Sequence, residues 1–185
     1  EESREKIRLS SKSHWDVPIK LPNGARVHLL CSHPTPPAFD GPERRNARRN
    51  HDEVRFWADY LDGDAWIVDD RNVGGGLDEY AHFVILGDLN ADPDEGSTWK
   101  DPMGDLLLPH RRVRATSPVS ETPIDGLDPD DTAGFGLRVD YVLPSRTMEV
   151  LRTGVWRAGP SRGPWTDRFP SDHFPVWADV RVPAP

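Results

Sequence analysis

A carboxylate and a carboxamide stand two residues apart at the end of the clearest buried strand in the sequence. The run His82 to Gly87 (HFVILG) is rich in β-branched and aromatic residues and closes on glycine, which predicts a buried strand. Asp88 and Asn90 follow it. Because side chains alternate along a strand whose end opens to solvent, these two polar groups can position a water molecule and a phosphate oxygen together. By itself the pair is equally consistent with a turn, since Asp and Asn cap turns after strands.

Asp140 is a second carboxylate in apolar surroundings. It lies within Leu137 to Leu143 (LRVDYVL), which predicts another buried strand, and a carboxylate is costly there without a partner. The natural partner is His173. A carboxylate that holds a histidine fixes the tautomer of the imidazole and raises its basicity, which suits a group that donates to a phosphoryl or leaving-group oxygen. The alternative is that Asp140 is a satisfied polar residue of the sheet.

Asp172 stands next to His173, immediately before the apolar segment Phe174 to Val182 (FPVWADVRV), which predicts a terminal strand. It is a candidate hard-oxygen ligand for magnesium or manganese. Acidic residues that converge on one spot attract a divalent cation, which can then recruit a phosphate. In the alternative interpretation, Ser171 and Asp172 only cap a turn.

Short apolar runs and one amphipathic stretch must hold these groups in place. Arg26 to Ser32 (RVHLLCS) predicts a buried strand that ends at His33, because the prolines that follow cannot continue a central strand. Asp40-Gly41-Pro42-Glu43 has the pattern of a helix start. Apolar residues then recur at helical spacing, which predicts a helix from about 42 to 61 with one buried face.

Weaker signals complete the expected order of elements. Ala65 to Val68 and Val150 to Trp156 are candidate strands, and residues 92–136 are expected to form a long surface excursion with one short helix near 101–108. Strands separated by a helix and long loops predict a layered α/β or α+β fold.

Composition restricts the functional classes. The chain has 185 residues, of which 36% are hydrophobic, enough for one sizeable core. Cys31 is the only cysteine, so an internal disulfide and a cysteine zinc site are excluded. The net charge of −8, with its acidic excess after residue 60, disfavours nonspecific binding to nucleic acid. No apolar run approaches the roughly 20 residues that would span a bilayer.

Taken together and in this order, the strand ending at His33, the segment GDLNAD, the segment RVDYV and the terminal SDHFPV resemble the endonuclease/exonuclease/phosphatase superfamily, which includes DNase I-like nucleases. The resemblance covers about residues 25–182. It implies a layered α/β sandwich of the DNase I-like type, in which this chain forms mostly the second sheet and its helices of a four-layer fold. Residues 1–24 are expected to be a lead-in segment, and residues 25–185 the carboxyl-terminal part of the domain.

The resemblance also implies roles for individual residues. Asp88 would orient or deprotonate the attacking water, and Asn90 would contact the scissile phosphate or a metal. Asp140 would orient His173, which would stabilise the phosphorane-like transition state, while His33 would assist the phosphate and leaving group. Asp172, with Asp88 and Asn90, would bind Mg²⁺, with Mn²⁺ or Ca²⁺ as alternatives. The expected activity is metal-dependent hydrolysis of a phosphate-ester substrate.

One departure from the family pattern is serious. The amino-terminal half of the family fold supplies an early asparagine and a metal-binding glutamate, each after a strand, and nothing in this sequence matches either. We therefore expect the first half to be a separate or missing piece, and low or no activity from these 185 residues alone. The alternative function is a catalytically incomplete binding or scaffold domain that retains the fold.

Other motifs are weaker. Asp88, Asn90 and Asp92 have the spacing of a calcium loop, but Pro93 stands where glycine is needed. Residues 159–163 match the G-x-S-x-G pattern of serine hydrolases, but prolines flank the serine and a loop is expected. The arginines at 44, 45, 48 and 49, with Asn46 and Asn50, predict a solvated helix face or an anion-binding edge.

Overall fold

The computed structural model describes residues 8–157 and 171–185. Six strands form two sheets in this part of the chain. The larger sheet has the order β1 (His14–Lys20), β2 (Arg26–Ser32), β3 (His82–Asp88) and β4 (Asp140–Pro144). The smaller sheet pairs β5 (Glu149–Val155) with β6 (Val176–Arg181). One long helix, α1 (Arg45–Asp62), and a π-helical turn at Met103–Leu107 complete the elements.

The pairing directions in the larger sheet bring distant polar residues to one edge. β2 and β3 are parallel, so both end at the same edge, where His33 follows β2 and Asp88 ends β3. β4 runs antiparallel to β3, and its first residue, Asp140, pairs with Asp88. Three of the predicted site residues therefore meet because two strands end, and one begins, at a single edge of the sheet.

α1 covers one face of this sheet. Its buried stripe, Val54, Trp57 and Leu61, packs against alternate residues of the strands, including Leu30, Phe83, Ile85 and Leu143. Burying a side chain of this size stabilises the fold by about 1.5–3 kcal/mol. The helix and the sheet thus form one apolar core, and the polar residues lie at its rim.

The opposite face of the larger sheet is covered only in part. Val27 and Val84 are buried there, with Met148 and Val182 of the β5–β6 region packed against them. Toward β1 the cover ends, and the alternate residues Trp15, Val17 and Ile19 are 61%, 42% and 39% exposed. An apolar band therefore faces outward along β1.

Most of the predicted elements are confirmed, with shifted ends. The strand at Arg26–Ser32 has the predicted bounds, and the strands predicted near 82–87, 150–156 and 174–182 are β3, β5 and β6. The predicted strand at 137–143 begins only at Asp140, because the backbone at 137–139 bonds to Thr132, Ala133 and Leu89 instead of to a neighbouring strand. Asp140 therefore lies at a strand end and not inside a strand.

The helix begins later than predicted, at Arg45, because Arg44 has a left-handed backbone. Asp40 still caps it, since its carboxylate accepts the backbone N–H groups of Asn46 and Ala47. The short helix predicted near 101–108 is the π-helical turn. The strand predicted at Ala65 to Val68 is wrong: Val68 makes only an isolated bridge with Gly74.

β1 was not predicted, although it lies in the segment expected to be a lead-in. Its apolar residues alternate as in a half-buried strand, but Pro18 and the neighbouring charged residues obscure the pattern. No helix within the described residues is long and apolar enough to cross a membrane.

Candidate active site

Asp88 lies at the centre of the site. Its Oδ1 accepts the backbone N–H of Asn90 at 2.9 Å, an arrangement that fixes the carboxylate at the strand end. Its Oδ2 lies 3.3 Å from Nε2 of His33 and 4.0 Å from Nε2 of His173. The carboxylate is therefore flanked by two imidazoles, which arrive from opposite ends of the chain.

Gly87 allows this close approach. It has a φ of 147°, and a Cβ at this position would overlap the carbonyl oxygen of Ser32 on β2. Only glycine fits where the two backbones come so close. The glycine thus places Asp88 near His33, the residue after Ser32.

Asp140 and His173 form a direct pair. Oδ2 of Asp140 lies 2.8 Å from Nδ1 of His173, so Nδ1 carries the hydrogen and Nε2 faces Asp88. The hydroxyl of Thr132 accepts the backbone N–H groups of Val139 and Asp140, both at 2.9 Å. The predicted partnership is present in the structure.

A short segment, residues 132–135, holds His173 in place and is called the strap below. Gly134 donates its N–H to the carbonyl of Asp172 at 2.7 Å, and Phe174 donates to the carbonyl of Thr132 at 2.7 Å. The Phe135 ring meets the His173 ring edge-on at 5.6 Å. Because the long excursion supplies this strap, the excursion is part of the site and not only a surface loop.

The environment of the pair shifts both pKa values. Burial raises the pKa of the Asp140 carboxyl, and the hydrogen bond from His173 only partly offsets this effect. Burial alone would lower the pKa of His173, but the hydrogen bond and charge of Asp140, with the charges of Asp88 and Asp172, raise it above the ordinary value. The imidazolium form of His173 is therefore favoured.

His33 and Asn90 lie on two loops that a side-chain hydrogen bond joins. The His33 side chain is 50% exposed, so it can reach a bound molecule. Asn90 has a positive φ of 51°, and its side-chain amide donates to the carbonyl of Pro34 at 3.1 Å. The carboxamide thus ties the loop after β3 to the loop after β2.

Three residues could contribute to a metal site. Among the described residues, one atom each from Asp88, Asp140 and His173 lie within 4.8 Å of one another. Two carboxylates and an imidazole are ligands that a divalent cation accepts, but Asp140 and His173 are already bonded to each other. Asp88 is therefore the residue of the three whose environment best fits a metal. Asp172 is exposed and outside this group.

An open cleft of about 540 Å³ lies over the site, lined by Asp88, Asp140, His173 and the apolar residues that flank them. A second hollow of about 430 Å³ adjoins it at Leu86 and Gly87 and is lined by His33, Trp15 and Cys31. The polar groups therefore stand between two open, mostly apolar surfaces.

Sequence reasoning missed two buried polar residues of α1. Asn50 and Glu53 are 0% exposed, whereas the start of the helix was predicted to be a solvated face. Arg45 and Arg48 are exposed as predicted, and Arg48 lies over the Trp99 ring at 4.6 Å. The signal available was spacing: Asn46, Asn50 and Glu53 recur along one side of the helix.

One of the two alternative motifs has a clear outcome in the structure. Asp92 is 7% exposed, and its carboxylate accepts the backbone N–H groups of Asp94, Glu95 and Arg138. It organises a turn, in agreement with the rejection of a calcium loop. The G-x-S-x-G segment at 159–163 lies outside the described residues.

The fold is similar to those of several solved structures. An endonuclease/exonuclease/phosphatase from Beutenbergia cavernae is 20% identical with a TM-score of 0.57, over 90% of this chain and 38% of that one. A beta toxin from Staphylococcus aureus is 15% identical with a TM-score of 0.53, over 92% of this chain and 57% of that one. A functionally unknown conserved protein from Enterococcus faecalis is 15% identical with a TM-score of 0.50, over 86% and 51%.

These likenesses confirm the predicted layered α/β sandwich, and this chain spans only 38% to 57% of the length of those structures. No curated protein sequence matches the chain. Residues 9–173 match the Endonuclease/Exonuclease/phosphatase family, nearly the whole range over which the motifs gave the resemblance. The chain therefore belongs to the endonuclease/exonuclease/phosphatase family.

Proposed function

We propose that this chain carries most of the active site of a metal-dependent phosphoesterase. The observation that carries the proposal is the array in which Asp140 holds His173 at 2.8 Å while the Asp88 carboxylate lies between His173 and His33. A base and two potential acids converge in an open cleft, as hydrolysis of a phosphate ester requires.

His173 is the proposed donor to the phosphoryl group. Because Asp140 occupies Nδ1 and the pKa of His173 is raised, protonation of Nε2 is favoured, and that proton can be directed at a phosphoryl oxygen. A charged donor stabilises the negative charge that develops on those oxygens in the transition state. Asp140 acts through His173 by fixing its tautomer.

Asp88 is the proposed base. It would take a proton from a water molecule as the water oxygen bonds to phosphorus and the ester P–O bond breaks, and the leaving oxygen would take a proton from His33. Asn90 would contact the phosphate or a metal; its NH₂ group donates to Pro34, and its carboxamide oxygen is the atom that would bind a cation. The short distance between Asp88 and His33, 3.3 Å, supports their joint action.

Asp88 is the proposed first ligand of a divalent cation, with Asn90 and Asp172 as the further candidates. Such a cation, when bound, supplies neutralisation of the phosphate charge and lowers the pKa of a bound water.

We further propose that an additional α/β segment packs on the exposed band of β1 and completes the site. Two observations support this. Trp15 is 61% exposed on a sheet face that β5–β6 cover only in part. The chain also spans only about half of the length of two structures with the same fold. The 185 residues alone are then expected to show low or no turnover.

The test uses the protein expressed from the complete gene. With Mg²⁺ or Mn²⁺ it is expected to cleave a generic aryl phosphodiester, and Asp88→Ala and His173→Ala are expected to abolish turnover. Asp179→Ala is the matched control, since Asp179 pairs with Arg152 on the exposed side of β5–β6. No turnover with any divalent metal would favour the alternative, a binding or scaffold domain.

A further inference from the structure

Three polar residues of α1 face the loop that carries His33. Asn46, Asn50 and Glu53 lie at positions i, i+4 and i+7, which share one side of a helix. The Asn46 amide donates to the carbonyl of Ala38 at 2.8 Å. The loop between β2 and α1 is therefore bound along its length to a single stripe of the helix.

Asn50 joins this loop to the loop after β3. Its side-chain amide donates to the carbonyls of Thr35 and Leu89, both at 2.9 Å, with a longer contact of 3.3 Å to the carbonyl of Asn90. Three acceptors around one end of the side chain determine which end is the NH₂ group, because the opposite orientation would set oxygen against oxygen. One buried side chain thus bridges both loops of the site.

Glu53 holds the other backbone group of Thr35. Its Oε2 accepts the N–H of Thr35 at 2.5 Å, and its Oε1 accepts the N–H of Ser11. Both polar groups of the Thr35 backbone are therefore bonded to side chains of α1. Since Thr35 is two residues from His33, the position of the helix sets the position of that imidazole.

We propose that Asn50, supported by Glu53, is a positioning residue that fixes the separation between His33 and the Asp88–Asn90 loop. Residues 33–35 and 88–90 follow the ends of two different strands, and in the described structure two side-chain amides link them: that of Asn50 from the helix and that of Asn90 to Pro34. A displacement of about 1 Å at such a site can cost about 100-fold in rate. The catalytic part of this inference rests on the proposed phosphoesterase function.

A purely structural role predicts a different result. If Asn50 only satisfied buried carbonyls, its loss would lower stability and leave the turnover of the folded protein nearly unchanged. A positioning role predicts a fall in kcat with little change in KM, because the substrate still binds while the reacting groups are misplaced.

The experiment compares Asn50→Ala with Asn46→Ala in the protein from the complete gene. Asn46 is the matched control, since its side-chain amide donates one hydrogen bond to the same loop from the same helix face, and within the described residues it makes none to the loop after β3. We expect Asn50→Ala to lower kcat for an aryl phosphodiester by about 10- to 100-fold with KM changed less than threefold, and Asn46→Ala to change kcat less than threefold. In a His33→Ala background, the effect of Asn50→Ala should shrink, because one of the two groups it aligns is gone.

Equal kcat values for the two folded variants, or an undiminished effect in the His33→Ala background, would overturn the proposal. Glu53→Gln keeps the shape of the side chain but has one acceptor oxygen for two N–H groups, so it tests the same alignment if Asn50→Ala does not fold. It should lower kcat about tenfold without a matching change in KM, and an unchanged kcat would count against the proposal.

Amide hydrogen exchange separates this inference from the proposed function. Asn50→Ala should speed exchange at the N–H groups of Thr35 and Asn90 by at least about tenfold, and Asn46→Ala should not. If the protein from the complete gene shows no turnover with any metal, the proposed function fails. The exchange result then still decides whether Asn50 couples the two loops. Unchanged exchange at both positions would reject the coupling.

Discussion

Asp140 shows how one half-buried carboxylate acquires a function from its partner. At the beginning of β4, in apolar surroundings, an unpaired carboxylate would cost several kcal/mol of stability. The hydrogen bond to Nδ1 of His173 offsets part of this cost and directs Nε2 toward Asp88. Stability and proton donation therefore depend on the same hydrogen bond.

Asp140→Asn keeps the shape of the side chain and removes its charge. Because the charge and hydrogen bond of Asp140 raise the pKa of His173, the variant should lower that pKa and reduce turnover by about 100-fold or more. Steady-state kinetics and an NMR titration of His173 in the protein from the complete gene measure the two effects. Asp179→Asn, far from the site on β6, should change neither; an Asp140→Asn variant with an unshifted His173 would contradict the assignment.

At the scale of elements, the close approach of β2 and β3 places His33 beside Asp88. Gly87→Ala adds a Cβ that overlaps the Ser32 carbonyl at a positive φ, so it should destabilise the protein by about 2–4 kcal/mol. Urea unfolding measures this loss. Gly63→Ala is the control, because Gly63 ends α1 at a φ of 81° with no atom within 4 Å of a new Cβ.

The control isolates backbone strain, which costs about 1 kcal/mol at such a position. If Gly87→Ala cost no more than Gly63→Ala, the close contact between β2 and β3 would not be the reason for glycine at position 87.

Asp16 links β1 to both β2 and α1 through its side chain. Its carboxylate lies 2.7 Å from Nδ1 of His28 on β2 and accepts the hydroxyl of Tyr60 on α1 at 2.7 Å. Burial alone would raise the pKa of Asp16, but these two hydrogen bonds lower it below the ordinary value. The ionised form is therefore bound more tightly in the folded state than in the unfolded state.

The sign of this pKa shift determines a pH dependence. Asp16 contributes stability above its unfolded pKa of about 3.9, and the contribution is lost as pH falls through the lower folded pKa. Asp16→Asn should lower the free energy of unfolding at pH 7 by about 1–2 kcal/mol and flatten its fall between about pH 5 and 3. Urea unfolding measured across this pH range tests both expectations. Asp64→Asn serves as the control, because the Asp64 carboxylate accepts the Trp66 indole N–H just beyond the end of α1 and has no contact with β1 in the described residues. Parallel pH curves for wild type and Asp16→Asn would contradict the assignment.

At the scale of the whole molecule, the exposed apolar band on β1 is the feature least expected of an isolated domain. A row of side chains runs across all four strands through the registered partners Trp15, Cys31, Leu86 and Val142. Its β1 end is open while its β4 end packs on the smaller sheet. A continuous row that is only half covered is typical of a surface that another element buries.

Trp15→Ser tests whether another segment buries this band. In the protein from the complete gene, the variant should lower the free energy of unfolding by about 2 kcal/mol or more, because a buried indole is lost. Trp66→Ser is the control, since Trp66 is 53% exposed and its ring packs on Phe56 of α1, which covers the other face of the sheet, and it should change stability by less than about 1 kcal/mol. Equal effects of the two variants on the free energy of unfolding would mean that Trp15 stays exposed in the protein from the complete gene.

The sequence alone determined the strands that bear the site and the identity of its chemical groups. Apolar runs such as 26–32 and 82–87 are local patterns, and His33, Asp88 and His173 follow or precede such runs directly. The order of the motifs was sufficient to predict the family and the pairing of Asp140 with His173, because an aspartate in an apolar run requires a partner.

Only the tertiary structure decided how these groups are aligned. The parallel register of β2 and β3, the strap, and the buried amide of Asn50 join residues that are tens of positions apart. No local spacing encodes such contacts, and polar residues near a helix start are usually exposed to solvent. Asn50 was therefore expected on a solvated helix face or an anion-binding edge, and Glu53 was not singled out. Both are buried and bonded to Thr35 in the loop that carries His33, and Asn50 is also bonded to Leu89, next to Asp88.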